Sequence, residues 1–373
     1  MRSISKGICG ATLALVTSAA SAQSSVTLYG VVDVWMQYLN NGGQSSVSER
    51  SGGNTGSMIG FKGKEDLGGG LSAIFTLEGG FNTNNGAFFA DSSTMFYRQA
   101  WVGLSHEKYG TLTFGRQYQP TFWAIYPSEP FRADEVLSPL AALSVSTGTD
   151  RNTLATQRQP GRLSNTVVYV SPNMAGLTLR GLYAFSDSTT QPYPTKTGNY
   201  LDVAATYSGY GFYGGLAYSN QHGGTANIPG LPGTLNMLST EHFTAAIAYR
   251  IGIVNLQANY SYNRPDDAPV GSLAARLNAV HSFSIMEVGA TIQATPFDTI
   301  EIAGLQRAVR GVHDNNVAFE LGYDHALSKR TTLYARAGYI KNNGSGNASW
   351  PGITPVAPGS KQVIGALGMT HRF

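Results

Sequence analysis

One cysteine, Cys9, stands in 373 residues. It lies in a segment that reads as a cleavable leader. Arg2 and Lys6 precede a small, apolar stretch from Gly7 to Ala19, and Ala20-Ser21-Ala22 follows, directly before Gln23. A basic start, a short apolar stretch and a small-x-small site make a secretory signal. The stretch is too short to cross a bilayer, which takes about 20 residues. Cleavage is expected after Ala22, so 1–22 is a signal peptide and 23–373 a single domain. The mature chain then lacks cysteine, which excludes disulfides, thiolate metal sites and a cysteine nucleophile.

Charge is also scarce. Only 13% of residues are charged, and the net charge is +3. That leaves no basic field of the kind nucleic acid requires. Beyond residue 22 no apolar run reaches the roughly 18 residues of a membrane helix. The G-x-S-x-G, H-E-x-x-H and G-x-x-x-x-G-K-[ST] patterns are missing. The histidines (His106, His222, His242, His281, His313, His325 and His371) are scattered without ligand spacing. No metal, cofactor or enzymatic activity is expected.

Glycine and aromatics are plentiful: Gly 45, Tyr 20 and Phe 16. That composition favours strands and turns over helices. Segments of about ten residues alternate with period two. In Val254–Asn263, Val254, Leu256, Ala258, Tyr260 and Tyr262 share one face, and Asn255, Gln257, Asn259, Ser261 and Asn263 the other. The segments 317–324, 333–339 and 201–207 repeat the pattern. Ten residues at about 3.3 Å, tilted near 45°, span roughly 24 Å, the height of an outer-membrane hydrocarbon layer.

The connections alternate in length. Tight turns are expected at 65–70, 109–110, 173–176, 210–211, 251–252, 296–298 and 328–329. Long polar connections are expected near 39–55, 83–93, 119–161, 187–198, 221–240, 264–280, 311–316 and 342–360. Together they imply sixteen strands, both termini on one rim and long loops on the other. A soluble sandwich also alternates, but its strands are shorter and its connections lack this strict short–long order. The expected fold is all-β, a 16-stranded antiparallel transmembrane β-barrel.

The connection 119–161 is long enough to imply a role of its own. It mixes Glu129, Asp134 and Glu135 with Pro120, Phe122, Trp123, Phe131, Leu137 and Leu140. Such apolar content suits a loop folded inward against the barrel wall. Strand parity then sorts the charges, because a charge facing lipid costs several kcal/mol (about 2–4 for Arg or Lys) at mid-bilayer. Arg98, sharing parity with Ala100 and Val102, is expected inward. So are Arg162, with Ser164 and Thr166, and Lys62 and Arg180. These four form an expected basic wall opposite the acidic loop. Glu78, Glu320, Asp324 and Arg336 are further lumen charges. Arg116 shares parity with Leu112 and Phe114 and should face outward, where a subunit contact suits it.

Several motifs together resemble one family. Val26-Thr-Leu-Tyr-Gly-Val-Val-Asp33, Gly60-Phe-Lys-Gly-Lys-Glu-Asp-Leu-Gly-Gly-Gly-Leu71, Tyr97-Arg-Gln-Ala-Trp-Val-Gly-Leu104, Phe114-Gly-Arg-Gln117 and Asn165–Pro172 resemble early strands of the general porins, above all neisserial and other beta-proteobacterial ones. Gly368-Met-Thr-His-Arg-Phe373 is similar to their C-terminal assembly signal, which His371, Arg372 and Phe373 would close. The resemblance implies a homotrimer in outer-membrane lipid, inserted by the outer-membrane assembly machinery through its last strand. It implies an inward third loop facing Arg98 and Arg162, and passive passage of small polar solutes and ions. Met58 and Val31 stand where relatives carry lumen cations, so the basic wall is expected to be thin and selectivity weak. A plugged barrel serving as an adhesin and a substrate-specific channel remain alternatives. The lumen tyrosines Tyr29 and Tyr334 are isolated and form no aromatic row.

Overall fold

The computed structural model describes residues 25–89, 94–134, 136–144, 161–186, 199–227, 234–267, 270–271, 281–353 and 356–373. The expected signal peptide and Glu135 lie outside the described residues. Sixteen antiparallel strands form one barrel. β1 is Ser25–Asn41. β2 is interrupted, running over Gln44–Ser51 and again over Met58–Gly68. β3 is Leu71–Gly80, β4 Gln99–His106, β5 Gly110–Tyr118 and β6 Arg162–Val170. β7 is Leu177–Ala184, β8 Tyr200–Gly209, β9 Phe212–Gln221, β10 Thr240–Ile251 and β11 Val254–Pro265. β12 is Phe283–Gln293, β13 Asp298–Val309, β14 Asn316–Ala326, β15 Thr331–Asn342 and β16 Lys361–Arg372.

Each strand pairs with its sequence neighbours. β1 closes the ring, meeting β16 from Val31↔Arg372 to Asn41↔Gln362 and both halves of β2 on its other side. Closure removes the sheet edge, whose unpaired backbone groups lipid could not satisfy. Among the described residues no helix is long and apolar enough to span a membrane. The strands do the crossing.

Alternation sorts the side chains as expected. On β10, Thr240, His242, Thr244, Ala246 and Ala248 are buried, while Phe243, Ile247, Tyr249 and Ile251 are exposed on the outer surface. β11 likewise turns Gln257, Asn259, Ser261 and Asn263 inward and Leu256 and Tyr260 outward. At about 25 cal/mol per Å², the apolar belt is stabilised by lipid rather than by a protein core.

Two departures concern connections and parity. The expected long connection at 39–55 is a tight hairpin: Gly42 and Gly43 both take positive φ, the geometry of a two-residue turn that continues strand twist. The irregular segment falls instead at 52–57, inside β2. The register of β1 with β2 therefore shifts from Val34↔Ser51 to Val31↔Met58. Parity also fails around Arg98 and Arg162. Val102 and Leu104 face outward, so β4 parity would send Arg98 to lipid. Arg98 precedes the first residue of β4 and escapes that rule. Alternation does not run unbroken from Arg162 to Thr166. Asn165 has φ of 57° and the β5–β6 register shifts at Gly115/Gln117, so Thr166 is buried and Ser164 exposed. Alternation holds only along an unbroken strand.

Candidate functional site

The loop after β5 opens with helix α1, Pro120–Ile125, and a tight turn, Tyr126–Ser128; a second helix, α2, is Pro139–Ser144. Proline stands at the first position of α1, where its missing N–H costs nothing. Its start is tied to the wall by Asp202 of β8, which accepts from the Thr121 backbone N–H at 3.2 Å and hydroxyl at 2.8 Å. The Tyr213 hydroxyl donates to the Ala124 carbonyl at 2.8 Å. Farther on, Phe131, Val136, Leu137 and Leu140 join a buried cluster with Ile285, Ala303, Leu305 and Ala318 of β12–β14. This stretch of inner wall is apolar, and it is where the loop docks.

Glycines make the approach possible. A Cβ on Gly215 would lie 2.7 Å from the Ala124 carbonyl oxygen, and one on Gly322 would lie 2.8 Å from the Phe131 ring. A second inward segment follows β15. Trp350 is buried at 1% exposure, and Pro351 reaches the lumen cavity.

Between loop and wall lies a cavity of about 510 Å³. The expected wall residues Arg98 and Arg162 both line it, as does Asp134 of the loop. Arg98 donates to the Tyr118 hydroxyl at 3.1 Å, and Arg162 donates to the same oxygen. The Arg162 guanidinium lies 4.2 Å from the Tyr118 ring centroid. Two cations thus converge on one phenol. Arg132 and Arg372 line the same cavity. Arg132 belongs to the loop, beyond the reach of parity. Arg372, expected as part of the assembly signal, also follows Gln362, Ile364, Ala366 and Thr370 on the inward face, a parity the sequence carries.

The remaining expected residues are dispersed. Lys62 sits over the Tyr29 ring at 5.2 Å, and Arg180 donates to Thr206 at 2.9 Å; neither lines the cavity. Glu78 faces inward and accepts from Tyr29 and Gln99, each at 2.7 Å. Arg336 pairs with Asp324 at 2.7 Å and with Glu301 at 3.6 Å, and buried Glu320 is nearby. Asp134 is spent partly on its own loop, accepting from Val136 and Leu137 backbone N–H groups.

Glu129 departs from the expectation of a pore-facing acid. It is 1% exposed, accepts from Ser138 at 3.1 Å and from the Ala133 N–H, and hydrogen-bonds Glu287 of the wall. Burial pushes its carboxyl up to about 7, because the charged form loses its water. The positive φ of Arg132 and Ala133 folds the chain back over it. Arg116 faces outward, donating to the Tyr97 carbonyl and to the Ser164 hydroxyl, the latter at 2.8 Å. At the C-terminus, His371 meets Thr331 at 2.9 Å, and Phe373 exchanges two backbone hydrogen bonds with Gly30.

A closed barrel with an apolar outer belt, a charged lumen and an inward loop defines a transmembrane channel. The family profile described as Gram-negative porin matches residues 10–345. "Outer membrane porin protein 32" of Delftia acidovorans is 26% identical over 96% of each chain. Of solved structures, the "Anion-selective porin from Comamonas acidovorans" has a TM-score of 0.78 at 24% identity, covering 94% of this chain and 100% of that one. The trimer form of OmpT of Vibrio cholerae has a TM-score of 0.63 at 14% identity, covering 94% and 99%. The chain belongs to the Gram-negative porin family. It is a non-enzymatic channel of the outer membrane.

Proposed function

We propose that this porin is a passive, water-filled diffusion channel that favours small anions, narrowed by the loop over 119–161. The observation that carries the reading is the charge of the cavity wall. Among the described residues, Arg98, Arg132, Arg162 and Arg372 line it, with Asp134 the acid they face. A confined site with one sign of fixed charge raises the local concentration of the opposite ion. Glu129, Glu320 and Arg336, each expected to be a pore or lumen charge, are buried away from that cavity. That wall supports an anion preference, in keeping with the name of the Comamonas acidovorans structure. We assign the outward Arg116 to a contact within a homotrimer, the state named for OmpT.

The test is the reversal potential of the reconstituted channel in a potassium chloride gradient. An anion-favouring sign is expected, and Arg98→Ala and Arg162→Ala should each move it toward cations. A cation-favouring sign in the unmodified channel would overturn the reading.

A further inference from the structure

The cavity is aromatic as well as cationic. Tyr118 stacks on Phe122 with ring centroids 4.3 Å apart and an interplanar angle of 24°. Trp123 stands edge-on to both, 5.6 Å from Tyr118 and 5.4 Å from Phe122. Tyr126 continues the group, 5.6 Å from Phe122. All four rings line the cavity. Trp123 and Tyr126 keep 41% and 36% of their surface exposed, although the loop that carries them lies inside the barrel. Large aromatic faces left open in a water-filled lumen are unfavourable unless something covers them.

The arginine pair sits at one end of this row, joined to it through Tyr118, which accepts from both guanidinium groups. We propose that the cavity is a binding subsite for aromatic carboxylates, a proposal that rests on the anion-channel reading. A planar guanidinium suits a carboxylate, which it can meet with two N–H donors. A ring attached to that carboxylate would extend along the row toward Trp123 and Tyr126, where offset or edge-on contact is available. The volume falls within the range of small-molecule sites, about 300–1,000 Å³. A neutral sugar could use the rings but gains nothing from the arginines. An aliphatic acid such as acetate could use the arginines but leaves the rings wet. The aromatic carboxylate is the class that uses both halves.

The experiment measures inhibition of chloride current through single channels in planar bilayers by benzoate, cyclohexanecarboxylate, acetate and maltotriose. Benzoate should act at roughly tenfold lower concentration than acetate and several-fold lower than cyclohexanecarboxylate, an aromatic contact being of that size. In Trp123→Ala the benzoate-to-acetate ratio should fall toward one, and Trp123→Phe should restore most of it. Equal action of benzoate and acetate on the unmodified channel, or stronger block by maltotriose, would overturn the subsite while leaving the anion channel standing. A cation-favouring reversal potential, recorded before any blocker is added, would remove both.

Discussion

The phenol of Tyr334 donates to the carboxylate of Asp33 at 2.7 Å, across 301 positions of sequence. The same carboxylate accepts from the backbone N–H groups of Gly53, Asn54 and Thr55 and from the Thr370 hydroxyl. It therefore joins three strands at the closing seam and folds the break in β2 into the lumen. Asn54, Thr55 and Gly56 line the cavity as a result.

Asp33→Ala would strand these donors at a buried site, at a cost of about 1–3 kcal/mol for each one left unsatisfied. A markedly lower midpoint in heat denaturation of the detergent-solubilised barrel is expected. Asp33→Asn, which keeps one acceptor oxygen, should fall between. An unchanged midpoint in Asp33→Ala would mean that water replaces the carboxylate.

The start of the inward loop hangs on Asp202. Asp202→Ala leaves the α1 N–H of Thr121 without its partner. Single-channel conductance should become larger or noisier, and deletion of 119–161 should raise it further. Conductance equal to the unmodified channel after the deletion would show that the loop does not narrow the pore.

Gly215 offers a test by volume alone. Its added Cβ would meet a backbone oxygen that cannot rotate away. Gly215→Val should displace α1 and change conductance in the same direction as Asp202→Ala. Gly181 has no atom within 4 Å of an added Cβ, so Gly181→Ala serves as the silent control.

Glu129 sets a pH dependence. Its carboxyl is raised to about 7 in the docked loop, above its value of 4.5 in water. The docked loop thus retains a proton that a solvated carboxyl has lost. This contribution is full below about pH 4.5, declines as pH rises toward 7 and is absent above it. Protease cleavage within the loop should therefore speed up between pH 5 and pH 8. Glu129→Gln, permanently neutral, should flatten that profile; a profile with the same slope in Glu129→Gln would assign the effect to another group.

How much was legible varies by residue. The faces of Val254–Asn263 and Leu333–Tyr339 could be read by counting, because an unbroken strand in a two-phase environment has one polar and one apolar side. Strand parity does not account for the cavity-lining positions of Arg98 and Arg162, since the chain breaks its alternation at Asn165 and ahead of Gln99. Arg132 and the aromatic row belong to a loop, where spacing carries no information about direction. The roles of Asp33 and Asp202 leave no sequence signal, because their partners lie far away along the chain.

By itself, then, the sequence determined the barrel, its strand number and the sorting of most side chains between lipid and lumen. These follow from period-two hydropathy and turn spacing, which are local properties. Only the tertiary structure decided which lumen charges face open space. The loop buries Glu129 against the wall and carries Arg132 and its aromatic rings to Arg98 and Arg162. That arrangement depends on shape: inward glycines, an apolar inner wall and a carboxylate hook at Asp202. Contacts between residues tens to hundreds of positions apart leave no periodic trace, and here they set the charge and the surface that a passing solute meets.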